Sequence, residues 1–83
     1  MSFKEKYLCK IVKYEDEDIY AVEVWFKDKD YMPDGLSYED RDFLETELEL
    51  CELMESVYEI DEGEKENIIE ALKKEGIEVI IQC

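Results

Sequence analysis

The side chains of this sequence that could do chemistry are almost all carboxylates. Asp and Glu supply 25 of the 83 residues, and the chain has no histidine. Without an imidazole there is no ready general base and no Cys–His pair. Ser37 and Ser56 lie in no nucleophile-elbow sequence, and nothing indicates the apolar pocket that would separate the pKa values of two carboxylates. We therefore expect a protein that is not an enzyme and has no cofactor.

The acidic segment that follows residue 27 could bind calcium, but neither loop register fits. A calcium loop of about twelve residues needs glycine at its sixth position and glutamate at its twelfth. A loop that starts at Asp28 places Pro33 at the glycine position, and one that starts at Asp30 places Arg41 at the glutamate position. We expect an ordinary acidic turn at residues 32–35 and no metal site.

Negative charge is concentrated in the middle of the chain. Residues 34–64 contain thirteen acids and one arginine, a net charge of −12. Ser37 is typical of a helix N-cap, and the apolar spacing predicts one helix from there to about Tyr58. Alternation over residues 44–50 would also suit a strand, but the apolar spacing and the helix propensities of Glu and Leu favour the helix. On that helix one outward acidic stripe would contain Asp42, Glu45, Glu49, Glu52, Glu55 and Glu59.

The acidic stripe has two interpretations. Carboxylates on neighbouring helical turns stand about 5–6 Å apart, a spacing comparable to that of phosphates along a nucleic-acid strand. The stripe would then imitate nucleic acid and occupy the basic groove of a nucleic-acid-binding protein, as a viral or mobile-element inhibitor of a host nuclease would. The alternative is an ordinary solvated face. Direct binding of nucleic acid is disfavoured, because a net charge of −15 repels phosphates.

The composition predicts one small folded domain over residues 1–83. With 46% hydrophobic residues the chain is too apolar for a disordered acidic tail. No apolar run approaches the roughly 18 residues of a membrane span, and residues 1–4 show no signal-peptide core, so we expect a cytoplasmic protein without membrane contacts. The cysteines are then expected to be reduced, with Cys9 and Cys51 in the core and Cys83 exposed.

The elements that must position these residues are predicted to form an α+β domain. Alternating apolar residues predict strands over residues 3–14 and 19–27, joined as an antiparallel hairpin. A helix is expected to begin after an N-cap at Asp61 and to end at Gly76. Glu64 would complete the capping box with Asp61. Residues 77–82 are rich in Ile and Val, which favours a strand in the sheet interior. The expected order is β-β-α-α-β in two layers, with both helices on one face.

The sheet face opposite the helices is predicted to be apolar and to include a tryptophan. By alternation it would carry Leu8, Val12, Trp25 and Ile80. An exposed tryptophan within such a patch is typical of an interface. The alternative function is therefore a homo-oligomeric structural domain, and a dimer is favoured because lysines expected on this face would pair with acids of a second subunit. Those lysines are Lys4, Lys6 and Lys10.

Overall fold

The computed structural model describes residues 2–82, which form a five-stranded sheet with helical segments packed against it. The strands are β1 (Tyr7–Tyr14), β2 (Ile19–Phe26), β3 (Cys51–Met54), β4 (Val57–Ile60) and β5 (Val79–Ile81). The helices are α1 (Phe3–Lys6), α2 (Tyr38–Asp42) and α3 (Lys65–Lys74), with a π-helical turn at Phe43–Glu47 and a 3₁₀ turn at Glu62–Glu64. The strand order is β3-β4-β2-β1-β5. β5 runs parallel to β1, and the other neighbouring strands are antiparallel.

The predicted N-terminal hairpin is confirmed. β1 and β2 pair over their whole length, from Tyr7 opposite Phe26 to Tyr14 opposite Ile19. The acidic turn between them closes with a bond from the Asp18 N–H to the Glu15 carbonyl, and Asp18 adopts a φ of 54°. Asp is among the few non-glycine residues that tolerate this left-handed conformation, because its short side chain bonds locally to the backbone.

The single long helix predicted from Ser37 to about Tyr58 was wrong. Ser37 does cap a helix, since its hydroxyl accepts a bond from the Asp40 N–H at 3.3 Å. That helix is short, however, and the π-helical turn after it leads to Glu49, whose φ of 56° reverses the chain. The remaining residues form the β3–β4 hairpin, which turns at Ser56 with a φ of 62°.

A second hairpin forms here because β2 has an outer edge whose main-chain groups need partners. β4 supplies them, pairing from Tyr20 opposite Ile60 to Glu23 opposite Val57. In this position Tyr58 is fully buried on one face of the sheet and Val57 is buried on the other. A helix would leave the edge of β2 unpaired, so long-range pairing outweighs the helix propensity of Glu and Leu.

One hydrophobic core lies between the sheet and the helical segments. It contains the odd-numbered residues of β1 and the even-numbered residues of β2, which alternate toward the same face. Leu44 from the π-helical turn and Leu72 from α3 are fully buried against them. The predicted helix before Gly76 is thus confirmed, and Gly76 ends it with a φ of 81°. The predicted capping box at Asp61 is wrong, because its side chain makes no capping hydrogen bond and the first turn is 3₁₀.

The fold class is therefore α+β, with the predicted hairpin and C-terminal strand, but with two hairpins in place of one. β5 lies at the sheet edge and not in its interior as predicted. Cys9 is buried as expected, whereas Cys51 on edge strand β3 is exposed. Cys83 lies outside the described residues. None of the helices within residues 2–82 combines the length and apolar character that crossing a membrane requires.

Candidate functional site

The six predicted residues of the acidic stripe do not form one stripe. Each of them lies in a different segment of the chain, so they do not line one helix face. They occupy the last turn of α2 (Asp42), the π-helical turn (Glu45), the loop before β3 (Glu49), β3 (Glu52), the hairpin turn (Glu55) and β4 (Glu59).

Two of the six, Glu45 and Glu52, meet at Arg41. The Arg41 Nε lies 3.4 Å from a Glu45 carboxylate oxygen, and its Nη2 lies 3.7 Å from one of Glu52. These two carboxylates raise the pKa of Arg41. The Tyr58 hydroxyl lies 3.5 Å from Glu45, and burial followed by the Glu45 charge raises the pKa of Tyr58. This part of the predicted stripe is therefore partly neutralised by the chain itself.

Asp42 and Glu55 stay apart from the other acids. Asp42 accepts a 3.0 Å hydrogen bond from the Thr46 hydroxyl one helical turn later. Glu55 is exposed in the turn between β3 and β4. Neither residue joins a larger group of carboxylates through the contacts that the structure describes.

Glu49 and Glu59 are gathered with two further acids around a depression at one end of the sheet. The depression has a volume of about 310 Å³, and Asp61 and Glu64 complete its acidic rim. Its apolar lining consists of Leu48, Leu50, Ile60 and Ile68. We call the surface formed by Glu49, Glu59, Asp61 and Glu64 the acidic depression.

The acid surface continues past β4 toward the β1–β2 turn. A smaller depression of about 100 Å³ shares Glu59 and Asp61 with the first one and adds Asp18 and Glu62. Asp18, Asp61, Glu62 and Glu64 were missed as site residues. The sequence does show many acids before and after β4. They come together only because β4 pairs with β2, and the sequence did not indicate that pairing.

Positive charge is sparse at the acidic depression. Within residues 2–82, none of its four carboxylates lies within 4.0 Å of a lysine or arginine nitrogen. Lys13 is paired at 3.4 Å with Asp18, and Lys65 lies over the Tyr20 ring at 4.7 Å from its centroid. No three side chains of the described residues converge as metal ligands. The depression therefore presents largely uncompensated carboxylates above an apolar floor.

The opposite face of the sheet forms a second candidate surface, which we call the open sheet face. Strand alternation places the predicted interface residues Leu8, Val12, Trp25 and Ile80 on it together. The expected exposure of Trp25 was wrong, because Trp25, Val12 and Ile80 are half-buried and Leu8 is buried. Lys10 also lies on this face, but Lys4 and Lys6 do not. They belong to α1, and Lys6 turns to the helix side, where its Nζ lies 2.9 Å from Asp40.

A carboxylate at the centre of the open sheet face orders the large side chains around it. Glu23 accepts a 2.6 Å bond from the Tyr14 hydroxyl and a 3.0 Å bond from Trp25 Nε1. Lys10, which lies opposite Glu23 in the β1–β2 register, places its Nζ 3.6 Å from the Trp25 ring centroid. Such cation–π contacts are worth about 0.5–1 kcal/mol at exposed sites. Glu23 was not among the predicted site residues, although strand alternation places it on this face.

The acidic depression and the open sheet face are thus the two surfaces on which a function can be built. Comparisons of the chain with models of known protein families, with curated proteins and with solved structures gave no match. The function is therefore inferred from the charges and geometry of this chain alone.

Proposed function

We propose that this protein binds the basic, nucleic-acid-binding surface of another protein through the acidic depression and blocks it. The observation that carries the proposal is the gathering of Glu49, Glu59, Asp61 and Glu64 around one concavity without a cation of this chain within 4.0 Å, among the described residues. Grooves that hold nucleic acid are lined by Lys and Arg, which bind phosphate and carboxylate oxygens alike.

The charge of the whole chain supports the same partner. A net charge of −15 surrounds the protein with a negative potential that attracts a basic groove and repels nucleic acid itself. Electrostatic steering of this kind raises the association rate more than the final affinity. The apolar floor of the depression adds area that becomes buried in a complex. An inhibitor of a nuclease, encoded by a virus or a mobile element, is the functional setting that such a surface fits.

The geometry selects which acids carry the binding. Arg41 partly neutralises Glu45 and Glu52, so these two residues should attract a basic partner less strongly than the acids of the depression do. Neutralising them would also release Arg41 and disturb the packing around Tyr58. The test therefore changes only acids of the depression.

The experiment compares capture of proteins from a host lysate by three forms of the full chain. The test variant combines Glu49→Gln, Asp61→Asn and Glu64→Gln, and the control combines substitutions of exposed acids on and after α3, with the same change in net charge. The control substitutions are Glu66→Gln, Glu70→Gln and Glu75→Gln.

We expect the wild type and the control to capture the same basic, nucleic-acid-binding protein. The test variant should associate with it about tenfold more slowly at low salt, because steering sets the on-rate. If the test variant and the control associated at equal rates, the acidic depression would not be the binding surface. If the captured partner had no basic nucleic-acid-binding surface, the proposed function would be wrong.

A further inference from the structure

The described helices leave the open sheet face uncovered, but its own larger side chains bury the apolar layer next to the sheet. The helices α1 and α3 and the π-helical turn pack against the core on the other face of the sheet. The short helix α2 is joined to that side by the ion pair between Asp40 and Lys6. Three apolar residues are buried outside the core cluster, namely Leu8, Ala21 and Val57, and alternation places all three on the open sheet face. The larger side chains of Tyr14 and Trp25 lie above this layer, bonded to Glu23.

An exposed methionine extends the apolar surface. Met54 is 53% exposed and lies opposite Val57 at the edge of the same face. It shares a depression of about 400 Å³ with Tyr14 and with the charged residues Lys13, Glu15, Asp16 and Glu17. Methionine is flexible and polarisable, and it adapts well to a second surface. The face therefore combines a charged centre, where Glu23 orders Tyr14 and Trp25, with an adaptable edge at Met54.

The charge on this face distinguishes it from the rest of the molecule. Lys10 and Glu23 lie at the middle of the β1–β2 hairpin and cancel each other, and Glu59, opposite Ala21, adds one negative charge toward the edge of this face. The chain as a whole carries a net charge of −15, so the centre of this face repels a second copy less than an acidic surface does. A second copy of this chain carries the same central lysine and glutamate, so it can match both charges.

We propose that two copies of this chain form a dimer through their open sheet faces, with Lys10 of each copy paired with Glu23 of the other. Within residues 2–82, Lys10 has no carboxylate oxygen within 4.0 Å and Glu23 has no lysine or arginine nitrogen within that distance. The two residues are direct cross-strand neighbours. A two-fold axis that passes between them places each beside its opposite charge on the other copy, which is the reciprocity of an isologous interface.

The available area predicts a reversible dimer. Two of the five strands have eight residues and three have only three or four, so at about 3.3 Å per residue and about 4.8 Å per strand the face covers about 430 Å² per copy. Two such faces bury less than the roughly 1,000 Å² at which stable interfaces begin, so the dimer should be weak. Because the remaining charge of the two copies is repulsive, added salt should strengthen the dimer. Salt should instead weaken binding of a basic partner to the acidic depression, because it screens the attraction between opposite charges. The two proposals therefore predict opposite salt effects, and each can be rejected without the other.

The experiment is sedimentation velocity on the full chain from micromolar to several hundred micromolar concentration. The wild type should shift from monomer to dimer over this range. Lys10→Glu and Glu23→Lys should each raise the dimer dissociation constant by at least about tenfold, because like charges then face each other. An equimolar mixture of the two variants should restore the dimer, since both cross-copy pairs are present again.

The matched control uses the same charge changes on α3, away from the open sheet face. Lys73→Glu, Glu66→Lys and their mixture should each dimerise as the wild type does. Glu23→Lys also removes the bonds from Tyr14 and Trp25, so circular dichroism must show that it is folded. If Glu23→Lys is unfolded, the test uses Lys10→Glu and Met54→Glu, because neither residue bonds to Tyr14 or Trp25 as Glu23 does. Each of these two variants is expected to weaken the dimer.

Three results would overturn the dimer. The first is a wild type that remains a monomer at the highest concentration. The second is dimerisation of Lys10→Glu and Met54→Glu that equals that of the wild type. The third is a mixture of folded Lys10→Glu and Glu23→Lys that stays monomeric.

Discussion

The Tyr14 hydroxyl lies 2.6 Å from a carboxylate oxygen of Glu23 and joins the end of β1 to the middle of β2. Burial, followed by this bond to an anionic acceptor, raises the pKa of Tyr14 above that of an exposed tyrosine. The folded state therefore holds the phenol proton more tightly than the unfolded state does. The contribution to stability is complete below pH about 10 and is lost as the pH rises further.

A Tyr14→Phe variant should consequently lose stability less steeply between pH about 10 and about 12 than the wild type does. Urea unfolding across this range measures the slope. Tyr38→Phe is the matched control, because Tyr38 is 83% exposed. Identical slopes for Tyr14→Phe and the wild type would show that the bond to Glu23 does not persist in solution.

The ion pair between Lys6 and Asp40 should be the most costly to break. The Asp40 side chain is only 8% exposed, and the Lys6 ammonium lies 2.9 Å from it. Replacing Lys6 with Met leaves a buried carboxylate without its partner, which should lower the free energy of unfolding by about 1–3 kcal/mol. Because the hydrogen bond to Asp40 raises the pKa of Lys6, this stabilisation is fully present below pH about 10 and is lost as the pH rises through the raised pKa.

Lys13→Met provides the comparison for that measurement. Lys13 pairs with Asp18, whose side chain is 88% exposed. An exposed pair of this kind contributes about 0–1 kcal/mol. If chemical denaturation gave equal losses for Lys6→Met and Lys13→Met, the helix-side placement of Lys6 would be wrong.

Glu49 supplies a test of the chain reversal before β3. Its φ of 56° is strained for glutamate and free for glycine, so Glu49→Gly should raise the free energy of unfolding by about 0.5–1 kcal/mol relative to Glu49→Gln. Both variants remove the same charge, which isolates the backbone effect. If residue 49 lay within a continuous helix, Glu49→Gly would instead lower the free energy of unfolding by about 1 kcal/mol relative to Glu49→Gln. The sign of this difference therefore distinguishes the chain reversal from a continuous helix.

Salt and calcium should act on this protein in the same way. Repulsion among the acids destabilises the fold, and any cation that screens it should raise the melting temperature. We expect calcium and sodium chloride at matched ionic strength to give similar increases, because the described residues bring no metal-ligand cluster together. A larger increase at micromolar calcium that Asp30→Asn abolishes would instead reveal a calcium site.

The hairpin, α3 and the open sheet face could be predicted because each follows from a local pattern. Strand alternation places Leu8 and Trp25 on one face whatever the strand order, since side chains repeat with a period of two. The apolar spacing of α3 and the glycine after it likewise mark one helix with its end.

The β3–β4 hairpin could not be predicted in this way. Alternation would suit a strand only over residues 44–50, whereas the strands form at Cys51–Met54 and Val57–Ile60. The edge of β2, which is distant in sequence, provides the partner that favours strands there. The acidic depression depends on the same pairing, which brings Glu59 beside Glu49 and Asp61. Lys6 was placed on the wrong face because residues 3–6 form a helical turn and not the start of β1.

The central proposal is that the acidic depression and nucleic acid compete for one surface of the partner. The most direct measurement adds this protein to the captured partner loaded with fluorescent duplex DNA and follows the anisotropy of the DNA. We predict complete release of the DNA by the wild type and by the control with Glu66→Gln, Glu70→Gln and Glu75→Gln. The variant with Glu49→Gln, Asp61→Asn and Glu64→Gln should need about tenfold more protein. DNA that stays bound while this protein also binds the partner would contradict the proposal.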